Sequence, residues 1–512
     1  MRALCTLVAG LLLCASTAVA AQVQQAQVTG GTVAGEVANG LSMFKGIPFA
    51  APPVGELRWK APQPVVAWDG VRQATQFGAA CMQEEGMARQ MGTTAPLSED
   101  CLFADVWTPA RSATEKLPVI VWIHGGGYTA GAPSVGLYDG ANFAREGVVF
   151  VSLAYRLGAF GFLASPELSA ESGEGSGSYG MLDMIAGLQW VRDNVARFGG
   201  DPSRVTVMGH SAGSSAVSIL AASPLAKGLF AGVIAESGAN FAPPQDEPFA
   251  AGGLSTLAAA ERGGQNWLAS LGADTLAEAR ALPATAVEAG ARQPGAPSWR
   301  PAVDGHVLPG DQVRLWQAGT FNDVPLLVGT TSNEWGASAR GQAEDFARQV
   351  RSSYGEFADR VLAAYPHATP EEAAQSARWL GNESGMEVGA YSWARLQAAH
   401  SQQPVWYYWF NNAPEGSGHG SEVALVFGNE DTRPGREPWS EHNRALSRQL
   451  QSYWVNFAKS GNPNGPGVPE WPRFTPDQPS VLALGLETKV IEVPNRARLD
   501  VIDQYLNWRR GE

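Results

Sequence analysis

The sequence predicts an α/β fold: a large, mostly parallel central sheet flanked by helices, with a helical cap. Three observations carry that prediction. Pro118-Val119-Ile120-Val121-Trp122-Ile123, Val148 to Tyr155 and Val324-Pro325-Leu326-Leu327-Val328-Gly329 are continuous apolar runs, the mark of strands buried on both faces. Helical stretches separate such runs, and parallel strands need crossover connections of that kind. Finally, Val205 to Met208 reads as a short buried strand that turns through Gly209-His210-Ser211-Ala212-Gly213 directly into a helix.

The 512 residues are 45% hydrophobic and include 17 Trp, enough for a large core, and a charged fraction of 17% is too low for a disordered chain. A net charge of −13 with no basic stripe argues against a nucleic-acid partner. Arg2, the apolar run Leu7 to Ala15 and Ala18-Val19-Ala20 form the three-part pattern of a secretory signal. We therefore expect residues 1–20 to be removed, leaving one domain over residues 21–512 that is secreted or periplasmic. No other stretch is long and apolar enough to span a membrane. Removing the signal takes Cys5 and Cys14, and the remaining Cys81 and Cys101 are expected to pair. Closing that loop would add about 3 kcal/mol by chain entropy.

Taken in order, residues 28 to 50 alternate apolar and polar between glycine turns and read as an antiparallel hairpin at the sheet edge. The stretch Ser98 to Trp107 leads into a strand. The run ending at Ile123 opens into His124-Gly125-Gly126-Gly127-Tyr128, where consecutive glycines present backbone N–H groups to a ligand. Met181 to Phe198 is expected to be an amphipathic helix. Gly232 to Gly238 reads as a further strand, Pro243 to Arg292 as an inserted helical cap, and Val405-Trp406-Tyr407-Tyr408-Trp409-Phe410 as an aromatic strand.

Gly-x-Ser-x-Gly between a strand and a helix is the setting that lifts a serine hydroxyl above a sheet edge, with the helix N-terminus favouring developing negative charge. A serine nucleophile needs a base and an acid that orients the base. Glu334 and His419 both lie on loops after strand-like runs, in the chain order Ser, acid, His. His124, His306, His367, His400 and His442, and the acids Asp304, Asp311 and Asp323, fit those positions less well and read as structural.

Several further motifs agree with this reading. Glu99-Asp100-Cys101-Leu102, Trp122-Ile123-His124-Gly125-Gly126-Gly127, Asn333-Glu334-Trp335-Gly336, Gly418-His419-Gly420 and Tyr453 to Pro463 resemble, together with the stretch around Ser211, the type-B carboxylesterases. That family includes the cholinesterases and bacterial para-nitrobenzyl esterases, and the resemblance runs from about residue 28 to the C-terminus. It implies the α/β-hydrolase fold, with Ser211 as nucleophile, His419 as base and Glu334 as acid. It also implies an oxyanion hole of the Gly126, Gly127 and Ala212 N–H groups, a Cys81–Cys101 disulfide, and a small-molecule ester substrate with no cofactor or metal. Ser237 resembles a hydroxyl that supports the triad, with an ordinary strand-end serine as the alternative.

The expected activity is ester hydrolysis through an acyl-enzyme. The rivals are an amide or carbamate hydrolase on the same residues, or a catalytically silent cholinesterase-like binding module. Two departures stand out. His210 occupies the place before the nucleophile where the family commonly has Glu. The loop from Met82 to Asp100 has no aromatic residue on which a quaternary ammonium could sit, so no preference for choline esters is expected. Tyr128, Trp267 or Trp299 would have to supply one.

Overall fold

The computed structural model describes residues 22–246, 253–335, 343–430 and 437–512, so the expected signal lies outside the described residues. Eleven strands form its main sheet: β1 (Glu36–Ala38), β2 (Leu41–Pro48), β3 (Phe103–Thr108), β4 (Leu117–Ile123), β5 (Val149–Leu153), β6 (Gly200–His210), β7 (Gly232–Glu236), β8 (Leu326–Thr331), β9 (Val405–Asn411), β10 (Ser480–Gly485) and β11 (Lys489–Glu492). They lie in the order β11-β10-β9-β8-β7-β6-β4-β5-β3-β2-β1. From β5 across to β10 every pair is parallel, and both edges are antiparallel. The parallel centre therefore points all its carboxyl ends to one side, where a ligand crevice forms in such sheets.

The strands are buried on both faces, as their sequences predict, and the pleat divides their side chains between two layers. In β4, Val119, Val121 and Ile123 pack with Met184, Ile185 and Leu188 of the helix Tyr179–Asn194 and with Val217 and Leu220 of the helix Ala212–Ala222. Ile120 and Trp122 face the opposite layer, with Leu450, Tyr453 and Trp454 of the helix Glu441–Ser460. Trp122 meets Phe427 edge-on with ring centres 4.8 Å apart. Truncating so enclosed an aromatic costs about 3–5 kcal/mol.

The hairpin expected over residues 28 to 50 forms at the edge of the main sheet as β1 and β2, which pair antiparallel. Its first part departs: Gly31–Ala34 pairs with Gln25–Val28 and Val71–Gln73 in a separate three-stranded sheet. Two further expectations need correction. The strand before Ser211 begins at Gly200, with a register shift between Gly200 and Val205, so Gly200-Asp201-Pro202 is taken into it while Gly199 stays in the turn. The helix expected over Met181 to Phe198 runs from Tyr179 to Asn194 and is buried around most of its circumference. Its one carboxylate in mid-helix, Asp183, is enclosed because Arg156 caps it with two side-chain bonds of 2.8 and 2.7 Å. The edge strands β10 and β11 carried no sequence signal that singled them out.

The cap is real and larger than expected. Within Pro243 to Arg292 the helices Leu257–Ser270, Leu276–Ala281 and Ala284–Gly290 form, the second started by a reciprocal Thr275–Glu278 capping box. Arg58 pins this layer: it pairs with Glu99 at 2.6 Å and donates to the carbonyls of Ala279, Arg280 and Leu282. A second helical group, Ala343–Tyr354, Ala358–Ala364, Pro370–Asn382 and Val388–His400, completes the roof. Cys81 and Cys101 are joined in a disulfide with Cα atoms 5.0 Å apart.

Candidate active site

The turn after β6 is held by backbone contacts that exclude side chains. A Cβ on Gly213 would lie 2.1 Å from the Ile123 carbonyl oxygen, and one on Gly209 would lie 2.5 Å from the Gly213 carbonyl. Only glycine lets the helix Ala212–Ala222 start this close to β4 and β6. Ser211, between them, is forced to φ 58° and ψ −121°. Its N–H donates to the Glu236 carbonyl at 2.8 Å, which fixes the strained residue to the next strand.

Ser211, Glu334 and His419 come together as the sequence predicts. His419 Nε2 lies 2.8 Å from Ser211 Oγ, and its Nδ1 lies 2.5 Å from Glu334 Oε2. The other carboxylate oxygen, Oε1, accepts from the Thr331 N–H at 2.8 Å. The loops that carry Glu334 and His419 are also stitched together directly. His419 N donates to the Glu334 carbonyl, Asn333 N to the Ser417 carbonyl, and Ser417 N to Ser332 Oγ. Burial alone would push the His419 imidazole down. The Glu334 hydrogen bond and charge, with a smaller push from Glu422, outweigh it and raise the imidazole above its ordinary range.

The loop after β4 supplies the remaining predicted groups. Gly126 and Gly127 adopt φ of 116° and 64°, and the Gly126 carbonyl accepts from Thr129 and Ala130 within its own turn. The N–H groups of Gly126, Gly127 and Ala212 meet no acceptor among the described residues. His124, buried and stacked on Tyr155 with ring centres 4.4 Å apart, is pushed down to about 4 by burial and is structural, as predicted. His306, His367 and His442 contact Glu174, the Tyr365 carbonyl and Asn412 instead. Asp304 closes its own turn, Asp311 pairs with Arg510, and Asp323 accepts from the Gln402 N–H.

A family model described as the Carboxylesterase family matches residues 17–502. The chain belongs to the carboxylesterase family. This carboxylesterase is 35% identical over 486 residues to the fumonisin B1 esterase of Sphingopyxis macrogoltabida, covering 89% of this chain and 86% of that one. It is also 35% identical over 485 residues to the para-nitrobenzyl esterase of Bacillus subtilis (strain 168), covering 91% and 95%. A solved para-nitrobenzyl esterase structure superposes with a TM-score of 0.80 at 32% identity, covering 94% of this chain and all of that one. The fold is thus that of the α/β-hydrolases and the enzyme is a carboxylic-ester hydrolase.

The structure also brings in residues that the sequence reading passed over. Behind the carboxylesterase's His419 lie two more buried carboxyls. Glu422 Oε1 accepts from Tyr408 at 3.3 Å and from Ser237 at 3.4 Å, and Glu236 Oε1 accepts from the Trp454 indole at 2.6 Å. The second oxygen of each is buried without a partner among the described residues. Burial pushes Glu422 up to about 7 and raises Glu236 well above the usual carboxylate range, each also repelled by a neighbouring carboxyl. Ser237 thus does bond toward the site, by way of Glu422. A carboxylate three residues past His419, in the same glycine-rich loop, was the available signal.

His210 packs against His419, its ring 4.6 Å from that of His419. Burial, and then the charge of His419, push it well below the ordinary histidine range, so it is neutral. Of the aromatics named as possible cation seats, Tyr128, Trp267 and Trp299 are all buried. The exposed aromatic face at the site is Trp335, 44% exposed and stacked on His419 at 5.6 Å. Trp335, Ala239, Gly385 and Met386 also line a cavity of about 860 Å³ that runs under the second helical group.

Proposed function

We propose that this chain is an exported serine esterase in which Ser211 is the nucleophile, His419 the general base and acid, and Glu334 the group that orients and stabilises the imidazolium. The observation that carries the reading is the hydrogen-bond chain Ser211 Oγ to His419 Nε2 and His419 Nδ1 to Glu334 Oε2. Ser211 Oγ attacks the ester carbonyl and its proton passes to Nε2. The oxyanion receives hydrogen bonds from the Gly126, Gly127 and Ala212 N–H groups, each worth about 2.7–4 kcal/mol at this stage. The tetrahedral intermediate collapses, Nε2 returns the proton to the alcohol, and the acyl group stays on Ser211. Water, deprotonated by the same nitrogen, then releases the acid.

The test is stoichiometric labelling by a fluorophosphonate, with peptide mapping, alongside hydrolysis of 4-nitrophenyl butyrate and the matched anilide and carbamate. Label on Ser211 with the ester as best substrate is expected. Label elsewhere would reassign the nucleophile, a better anilide or carbamate would change the bond cleaved, and no label with no turnover would favour a silent binding module. Residues 1–20 as a cleaved signal, a single domain over 21–512 and a secreted or periplasmic location complete the proposal. They are supported by the leader pattern and by the disulfide, which persists in oxidising compartments. N-terminal sequencing of the mature protein from each cell fraction tests them.

A further inference from the structure

We propose that the ester this enzyme hydrolyses carries a carboxylate, and that the Arg300 guanidinium in the cavity beside Trp335 binds it. The inference rests on the esterase reading above and adds the chemical class of substrate.

Elsewhere this acidic protein neutralises the guanidinium groups it encloses. Arg58 lies against Glu99, Arg156 against Asp183 and Arg510 against Asp311, at 2.6 to 2.8 Å. The cavity's own guanidinium groups, both exposed, have no such partner among the described residues. The charged residues that line the cavity are Arg300 and Arg509, with no Asp or Glu among the described residues that line it. Arg300 makes no ion pair or hydrogen bond with any described residue, and Arg509 only overlies the Tyr505 ring at 5.9 Å. In a chain at −13, a cleft holding two unmatched cations focuses a local field opposite in sign to the rest of the surface.

A second observation places that field near the reacting atoms: Trp335, which lines the same cavity, is stacked on His419 with ring centres 5.6 Å apart. Arg300 offers charge-assisted donors to an anion, and a guanidinium fork matches a carboxylate. Phe241, Met386 and Val388 on the cavity wall suit the short methylene chain that would join such a carboxylate to the ester.

The experiment compares kcat/KM for two matched pairs at low and high ionic strength. One pair carries the charge on the acid side, mono-4-nitrophenyl glutarate against its glutaramate. The other carries it on the alcohol side, the butyrate ester of 4-hydroxybutyrate against that of 4-hydroxybutyramide. The carboxylate member of at least one pair is expected to be favoured by about tenfold, less at high salt. Arg300→Gln should collapse that ratio, Arg300→Lys should keep most of it, and Arg300→Glu should invert it. Arg300 is exposed, and a ratio taken within one variant cancels any difference in folded enzyme. A wild-type ratio of one or less in both pairs, or a preference untouched by Arg300→Gln, overturns the inference. Hydrolysis of 4-nitrophenyl butyrate that Ser211→Ala abolishes keeps the esterase reading standing in that event. Its absence takes both down.

Discussion

Two sets of glutamates lie buried at the carboxyl edge of the same sheet and do opposite things. Glu334, on the loop after β8, has a donor for each oxygen: the Thr331 N–H and the His419 ring. Glu236 and Glu422, at the end of β7 and just past His419, each keep one buried oxygen with no partner among the described residues. Residue type and burial are the same, so the difference lies in the donors each carboxylate meets. A carboxyl with a donor on each oxygen can orient and stabilise a cation opposite it. One left with a bare buried oxygen beside another carboxyl is favoured in its neutral form.

Breaking the first arrangement should have the largest effect. Ser211→Ala should lower kcat for 4-nitrophenyl butyrate by on the order of 10⁵- to 10⁶-fold, measured by initial rates with the fold checked by far-UV circular dichroism. A loss of only tenfold would remove Ser211 from the mechanism. Glu334→Gln comes next, with a loss of roughly 10³- to 10⁴-fold, because the amide leaves the imidazolium without an opposing charge and can favour the wrong tautomer. The same change at Glu236 sharpens the contrast. Glu236→Gln swaps a neutral carboxyl for an amide of equal size and should leave kcat within about threefold. Equal losses at Glu236 and Glu334 would erase the distinction drawn between them.

The pH dependence separates the two sets more finely. His419 must be neutral to accept the Ser211 proton, so kcat/KM should fall as pH drops through its pKa. Because Glu334 holds that pKa above the ordinary histidine value, the acid limb should lie above about 6.5. An acid limb at or below pH 6 would count against the hydrogen bond seen here.

Glu422 supplies the smallest effect. It titrates near 7 when folded against an ordinary 4.5, so the folded state holds the extra proton between those values. Stability from this group is therefore complete below about pH 4.5, and is lost as pH rises through 7, by on the order of 3 kcal/mol. Glu422→Gln should remove that slope, read from denaturant midpoints at pH 5 and 8. It should also lower the acid limb of the activity profile slightly, since Glu422 pushes His419 upward. A variant with the wild-type stability difference between pH 5 and 8 would show that Glu422 is not the titrating group.

What was legible from sequence follows from how local each constraint is. Continuous apolar runs mark β4, β5 and β8 because a strand covered on both faces has no polar side to show. Gly209 and Gly213 mark the turn at Ser211 because any Cβ there would strike backbone. The helix Tyr179–Asn194 was misjudged because Asp183 gives it a polar residue in sequence, while Arg156, far from it in the chain, encloses that residue. Glu236 and Glu422 passed unnoticed for the same reason: a glutamate at a strand end looks solvated until Trp454, Tyr408 and Ser237 close around it.

By itself, then, the sequence determined the sheet, the turn that presents Ser211, the identities of Glu334 and His419 and the pairing of Cys81 with Cys101. Each of these rests on a short motif or on residue types with few alternatives. Only the tertiary structure decided which carboxyls meet donors, that His210 lies neutral against His419, and that no acid among the described residues lines the cavity with Arg300. Those are properties of distance and burial between segments far apart in the chain, and electrostatic free energy depends on both.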